Sequence, residues 1–127
     1  MEDKPASLPQ SALARACLCR ELAASNPALA EKAFISGLFS YLEAFFDRPL
    51  VELLESLPLH ASITTALLTR AGPVGALLET AIRLESESWD EIPWPRLQLI
   101  GIQAEDVRAA DRRARQTARE LQANARP

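Results

Sequence analysis

The run EKAFISGLFSYLEAFFDRPL, Glu31 to Leu50, decides how this chain is read. From Ala33 to Leu42 it carries no charge. It holds all four phenylalanines of the chain, Phe34, Phe39, Phe45 and Phe46, and its single tyrosine, Tyr41. Leu29, Ala33, Phe34, Leu38, Tyr41, Leu42 and Phe45 recur at helical spacing, with Phe39 and Phe46 one heptad apart on another side. A helix apolar on most of its circumference needs neighbours on most of it. The pattern therefore predicts one central, buried helix, whose five rings, at about 2 kcal/mol each, supply much of the driving force for folding. Ala33, Gly37, Ser40 and Ala44 form a strip of small residues on it. Glycine costs about 1 kcal/mol in helix propensity relative to alanine, and close approach of a neighbouring helix would offset that cost.

Working outward, the same periodicity recurs on both sides. SALARACLCRELAAS reads as a helix with Leu13, Ala16, Cys17, Arg20 and Ala24 on one face and Leu18 and Leu22 extending the apolar stripe. Asn26 can cap the next helix, and Pro27 suits its first turn. After the central run, Pro49 opens a helix through Leu50, Val51, Leu53, Leu54 and Leu57; ITTALLTR forms a short one; Pro73 opens VGALLETAIRLESES. WDEIPWPRLQLIGI, with both tryptophans and two prolines, predicts irregular chain and a short turn of helix. The last helix spans Ala104 to about Gln122. No alternating strand pattern is present. The expected fold is all-α, a compact bundle of six or seven helices, with residues 1–10 as a flexible lead-in, 11–122 as the domain and 123–127 as a tail.

The chain has 127 residues, enough for one core. Its net charge is -3, so bulk electrostatics give no reason to expect nucleic acid. No apolar run approaches the ~20 residues that cross a bilayer, and the polar start MEDKPASLPQ has no apolar signal core. A cytoplasmic location is expected. Cys17 and Cys19, two apart on a helix turning ~100° per residue, point to nearly opposite sides. With one histidine, His60, beside them there are too few soft ligands for zinc. No metal and no cofactor is expected.

The order RACLCREL, FISGLFSYLEAFFDRPLVELLESLPLHASI, ALLTRAGPVGALLETAIRLESESW and LIGIQAEDV resembles the C-terminal part of the HDOD domain, known from bacterial proteins that join an EAL domain to it. The resemblance covers about Ala14 to Val107. It departs at His60, where a serine cap is usual, at Gln103, where an aspartate cap is usual, and at Glu43, which replaces an aspartate. Additional helices precede the RACLCREL position in that family. The resemblance implies a partial HDOD domain with an HD-like superfold: a regulatory signal-transduction module acting by protein-protein interaction, in cyclic di-GMP signalling where an EAL domain is fused. It also implies no catalysis. The residues agree with that expectation, because HD-type hydrolysis needs several His and Asp around metal ions that activate water and clamp phosphate. This chain has one histidine, no His-Asp doublet and no phosphate-cradling glycine loop. The expectation is no enzyme and no catalytic, cofactor-binding or metal-binding residue. His60, at a helix start after Pro58, reads as a cap or a surface residue.

Binding features are sharper. Arg108, Arg112, Arg115 and Arg119 are spaced 4, 3 and 4 apart and share one narrow face of the last helix. They are the candidate partner-binding residues. The bland alternative is a solvated face with Glu105–Arg108 and Asp111–Arg115 ion pairs. ETAIRLESESWDE offers acidic residues that could meet the stripe within one molecule or between two. Trp89 and Trp94 read as anchors under a loop or, if exposed, as interface residues. The expected partner is a protein, an upstream domain of the same polypeptide or a second copy, drawn to an apolar patch left on the central helix. A nucleic-acid-associated regulator using the stripe is the alternative, against which the interleaved acids argue. An enzyme of unrecognised type is a third reading.

Overall fold

The computed structural model describes residues 8–124. Its helices are α1 (Leu8–Leu22), α2 (Pro27–Phe39), α3 (Leu42–Phe46), α4 (Leu50–Leu54), α5 (Ala61–Thr69), α6 (Gly72–Glu85), α7 (Trp94–Gln98) and α8 (Ala104–Asn124), with a 3-10 turn at Trp89–Glu91 between α6 and α7. The all-α bundle is as expected, and no strand occurs among the described residues. Helical structure begins at Leu8, three residues ahead of Ser11, and runs two residues past Gln122. Residues 1–7 of the expected lead-in and 125–127 of the expected tail lie outside the described residues.

Local chemistry sets the helix ends. The Asn26 side chain accepts the Leu29 N–H at 3.3 Å, with Pro27 in the first turn. His60 Nδ1 accepts the Ser62 N–H at 3.0 Å, so an imidazole serves at the cap of α5. Among the described residues Gln103 makes no side-chain cap at α8. Instead the Asp106 carboxylate reaches back to accept the Gln103 N–H at 2.9 Å, and Glu105 and Asp106 place negative charge at the positive end of the helix. Glu43 accepts the Leu50 N–H at 2.6 Å and so caps α4 from the preceding helix.

The central helix is α6, which corrects the expectation placed on the aromatic run. Val74, Ala76, Leu77, Leu78, Thr80, Ala81 and Leu84 of α6 are all buried, and α6 packs against α1, α2, α5 and α7. The aromatic run is broken. The Ser40 hydroxyl turns back to donate to the Gly37 carbonyl at 2.7 Å, competing with continued helix. The chain restarts as α3 at Leu42. Phe34, Phe39, Tyr41 and Phe45 are half-buried and Phe46 is 60% exposed. With the run split, no one helix is enclosed all round, and the rings serve two elements that each keep one side in solvent. The strip of small residues does what its spacing predicts over its first half: Ala33 and Gly37 are buried and α2 lies close along α1, while Ala44 is exposed.

Around α6 the core gathers Leu18, Cys19 and Leu22 of α1, Ile63 and Leu67 of α5, Leu97 of α7 and Val107, Ala110 and Ala114 of α8. Trp89 and Trp94 pack on this cluster with ring centroids 4.9 Å apart and planes tilted by 58°. Trp89, in the 3-10 turn, and Trp94, at the start of α7, are both half-buried. Arg96 of α7 donates to the Arg70 carbonyl, and to the Gly72 carbonyl at 3.2 Å, tying α7 to the α5–α6 turn.

Candidate functional site

With Val107, Ala110 and Ala114 turned into the core, α8 presents its arginines outward. Arg108, Arg112, Arg115 and Arg119 are all exposed on that face. Arg115 Nε donates to Asp111 at 3.0 Å, the ion pair its spacing predicts. Among the described residues Arg108 forms no ion pair with Glu105. Its guanidinium instead lies 4.9 Å from the centre of the Trp89 ring, a cation–π contact. Arg113, beside the stripe, points to α1, where it bonds the Glu21 carboxylate at 2.7 Å and the Glu21 carbonyl at 3.2 Å. Arg112 and Arg119 have no hydrogen-bond or ion-pair partner among the described residues.

The acidic segment meets other arginines. Glu79 is held by Arg70 at 2.9 Å and Arg83 at 2.7 Å, and Arg83 also reaches Glu91 at 3.2 Å. Glu85 takes both arms of Arg15, at 2.8 and 2.6 Å. Glu87 is different: its carboxylate has no partner among the described residues, and it faces the stripe across a groove. It holds φ +56°, in the left-handed region, as the residue following the C-cap of α6.

That groove runs between α1 and α8 and ends at the C-terminus of α6. Its larger section has a volume of about 430 Å³ and its smaller one about 350 Å³; they share Leu84, Glu87, Asp111 and Arg115. Ala14 and Leu18 of α1, Leu84 of α6 and Ala114 and Ala118 of α8 form an apolar floor. Tyr41 closes one end, and Trp89 with Arg108 the other. Three stripe residues, Arg108, Arg112 and Arg115, line it; Arg119 does not.

Arg15 buttresses the Tyr41 end. Its side chain is 15% exposed; besides Glu85 it donates to Ser40 Oγ at 3.0 Å and lies 4.3 Å from the centre of the Tyr41 ring. Burial acts to lower its pKa, but the Glu85 hydrogen bonds and charge outweigh this and the net shift is upward. Cys17 and Cys19 are buried free thiols. Burial pushes Cys19 up to about 12 and also raises Cys17. His60 stays at its cap, exposed. Among the described residues no three His, Cys, Asp or Glu side chains gather where they could hold a metal ion, and no helix is long and apolar enough to cross a membrane.

Sequence reasoning found the stripe but not the groove. Arg15 and Tyr41 lie far apart in sequence and carry no shared pattern, and Glu87 is one acid in a run of acids. The left-handed position of Glu87 has a faint signal in the chain reversal demanded between LETAIRLE and the tryptophan segment.

No family model and no solved structure matches the chain. It is similar to the cyclic di-GMP phosphodiesterase CdgJ of Vibrio cholerae, with 37% identity over 107 residues, 83% of this chain. The chain spans about a quarter (24%) of the length of that relative. The expectation of no enzyme is corrected by this finding: the protein to which the chain is similar is an enzyme. That expectation rested on the resemblance to a non-catalytic module and on the sparse histidines and metal ligands of a stretch corresponding to a quarter of the relative, and such a count carries no information on residues outside the matched stretch.

Proposed function

We propose that this chain is a cytoplasmic signalling module of the HDOD type, working in cyclic di-GMP-linked signalling through contact with another protein or another domain of its own polypeptide. The observation that carries the reading is the 37% identity with a cyclic di-GMP phosphodiesterase over 107 residues. The HDOD-like order of RACLCREL, the aromatic run and LIGIQAEDV supports the same reading. The contact surface is the arginine stripe of Arg108, Arg112, Arg115 and Arg119, whose exposed guanidiniums suit an acidic partner surface.

The test exchanges the matched stretch of the Vibrio enzyme for this chain and follows hydrolysis of cyclic di-GMP. Hydrolysis by the chimera at a rate near that of the parent supports the reading, provided that an unrelated helical bundle of the same length in that position changes the rate. Equal rates with the unrelated bundle overturn it.

A further inference from the structure

We propose that the groove between α1 and α8 receives a single amphipathic helix of a partner protein, with an apolar stripe on the floor, a carboxylate toward Arg112 and a cation toward Glu87. The inference rests on the contact role proposed above and names the surface and the chemistry of its partner.

Three observations lead to it. The floor is apolar and continuous, from Ala14 and Leu18 on one side to Ala114 and Ala118 on the other, with Leu84 between. The lining positions 11, 14 and 18 of α1 and 111, 114, 115 and 118 of α8 follow helical spacing, so the trough extends about 10 Å, two helical turns. An elongated trough between two helices is the shape that a third helix fills through residues at i, i+3, i+4 and i+7.

The second observation is the charge. Several ionic groups of the groove already have partners: Glu85 pairs with Arg15, Asp111 with Arg115, and Arg108 lies over the Trp89 ring. Glu87 and Arg112 have none among the described residues, and they stand on different walls, one at the end of α6 and the other on α8. Both line the smaller section, which joins the apolar floor at Leu84. A free anion and a free cation at one end of an apolar trough are complementary to a helix carrying one charge of each sign beside its apolar stripe. Nucleic acid would bring like charge to Glu87, Glu85 and Asp111, which makes the mixed lining a poor phosphate track. The third observation is the backbone. Glu87 sits in a left-handed conformation that glycine would take without cost, so a carboxylate stands at this point despite the strain.

The test uses the full 127-residue chain and a displayed library of 18-residue amphipathic helices. Binders are selected on the wild type, then measured on Ala118→Trp, which fills the floor, on Arg112→Glu, an exposed position, and on Ala24→Trp as a remote control. The expected result is a fall of about tenfold or more in affinity on the first two and none on the control. Exchanging the peptide's acid for lysine should restore binding to Arg112→Glu. Circular dichroism confirms that each variant is folded, and Arg112→Glu keeps the test decisive if Ala118→Trp is not. Helices whose affinity ignores both groove variants overturn the inference. So does concentration-dependent dimerisation abolished by Ala118→Trp, which would assign the groove to a second copy, or salt-sensitive retention of a 20-base DNA duplex abolished by Arg112→Glu. Placing Arg112→Glu in the chimeric phosphodiesterase separates the two readings. If the unrelated bundle changes hydrolysis but this variant does not, the groove inference fails together with Arg112's place in the contact surface, while the signalling-module reading stands; if neither changes it, the function reading fails.

Discussion

A methyl group on Gly37 would lie 2.8 Å from the Cα of Ala16 and 2.9 Å from the carbonyl oxygen of Arg15. Both are backbone atoms, so no side chain can swing aside. This is the contact that seats α2 along α1. Replacing Gly37 by alanine gains about 1 kcal/mol of helix propensity but forces the two backbones apart, and overpacking costs roughly 1–3 kcal/mol. The expected outcome is net destabilisation, read as a lower urea midpoint with an unchanged slope. A midpoint at or above that of the wild type would show that α1 and α2 part more easily than this geometry allows.

The Arg15–Glu85 pair predicts coupling. Arg15 joins α1 to the α2–α3 break through Ser40 and to the end of α6 through two hydrogen bonds with Glu85. At 15% and 33% side-chain exposure the pair is only partly screened. A double-mutant cycle of Arg15→Ala and Glu85→Ala should give a coupling above the about 0–1 kcal/mol of a surface pair, in the upper part of the roughly 0.5–3 kcal/mol range of residues in contact. Arg15→Lys should recover little of it, because an ammonium cannot bond both carboxylate oxygens and Ser40 in one plane. Additive single losses would reduce the pair to a surface ion contact.

How much of this was legible in the sequence follows from the range of each interaction. Asn26 with Pro27 announced a helix start because cap and first turn are adjacent in sequence, and the periodicity of α8 placed Arg108, Arg112, Arg115 and Arg119 on one face. Gly37 signalled close packing because it stood in a strip of small residues. The aromatic run misled, because a segment apolar on all sides reads alike whether it is one enclosed helix or two helices meeting at an angle. Ser40, whose hydroxyl turns to the Gly37 carbonyl, is the residue that distinguishes the two. Glu43 as the cap of Leu50, seven residues on, and Arg15 under Tyr41 depend on tertiary placement that no local pattern encodes.

Cys19 predicts a pH dependence. Full burial raises its pKa from the ordinary 9.0 to about 12. Between these values the unfolded chain releases the proton and the folded chain keeps it. The unfolded state therefore binds fewer protons, and stability falls as pH rises through this window, by up to about 1.4 kcal/mol per pH unit for one group. Below 9.0 the thiol is neutral in both states and the contribution is constant. The expected result is a urea midpoint that drops across the window in the wild type and drops less in Cys19→Ala, compared with that variant's own neutral-pH value. Alkylation of Cys19 should follow global unfolding rather than thiolate formation. Rapid alkylation in native buffer just above 9.0 would mean that the thiol is open to solvent.

Glu87 predicts a separation of stability from binding. The Glu87 N–H bonds the Leu84 carbonyl at 3.2 Å and the Ser88 N–H bonds the Arg83 carbonyl at 2.8 Å, the paired closure in which glycine ordinarily follows the C-cap. A side chain at that position costs roughly 1–2 kcal/mol against a right-handed conformation, and glycine gives back about 0.4–1 kcal/mol through its freer unfolded state. Glu87→Gly should therefore stabilise the fold slightly, by about 0.5–1 kcal/mol. The same change removes the unpaired anion of the groove, so a helix selected on the wild type for a cation near Glu87 should bind the variant more weakly. Glu87→Asn, which tolerates the left-handed conformation and carries no charge, should weaken binding as much with a smaller gain in stability. Stability rising while affinity falls would show that the carboxylate stands there for contact and not for the fold. Weaker stability in Glu87→Gly would mean that the carboxylate supports the helix end, and the strained position would then carry no information about a partner.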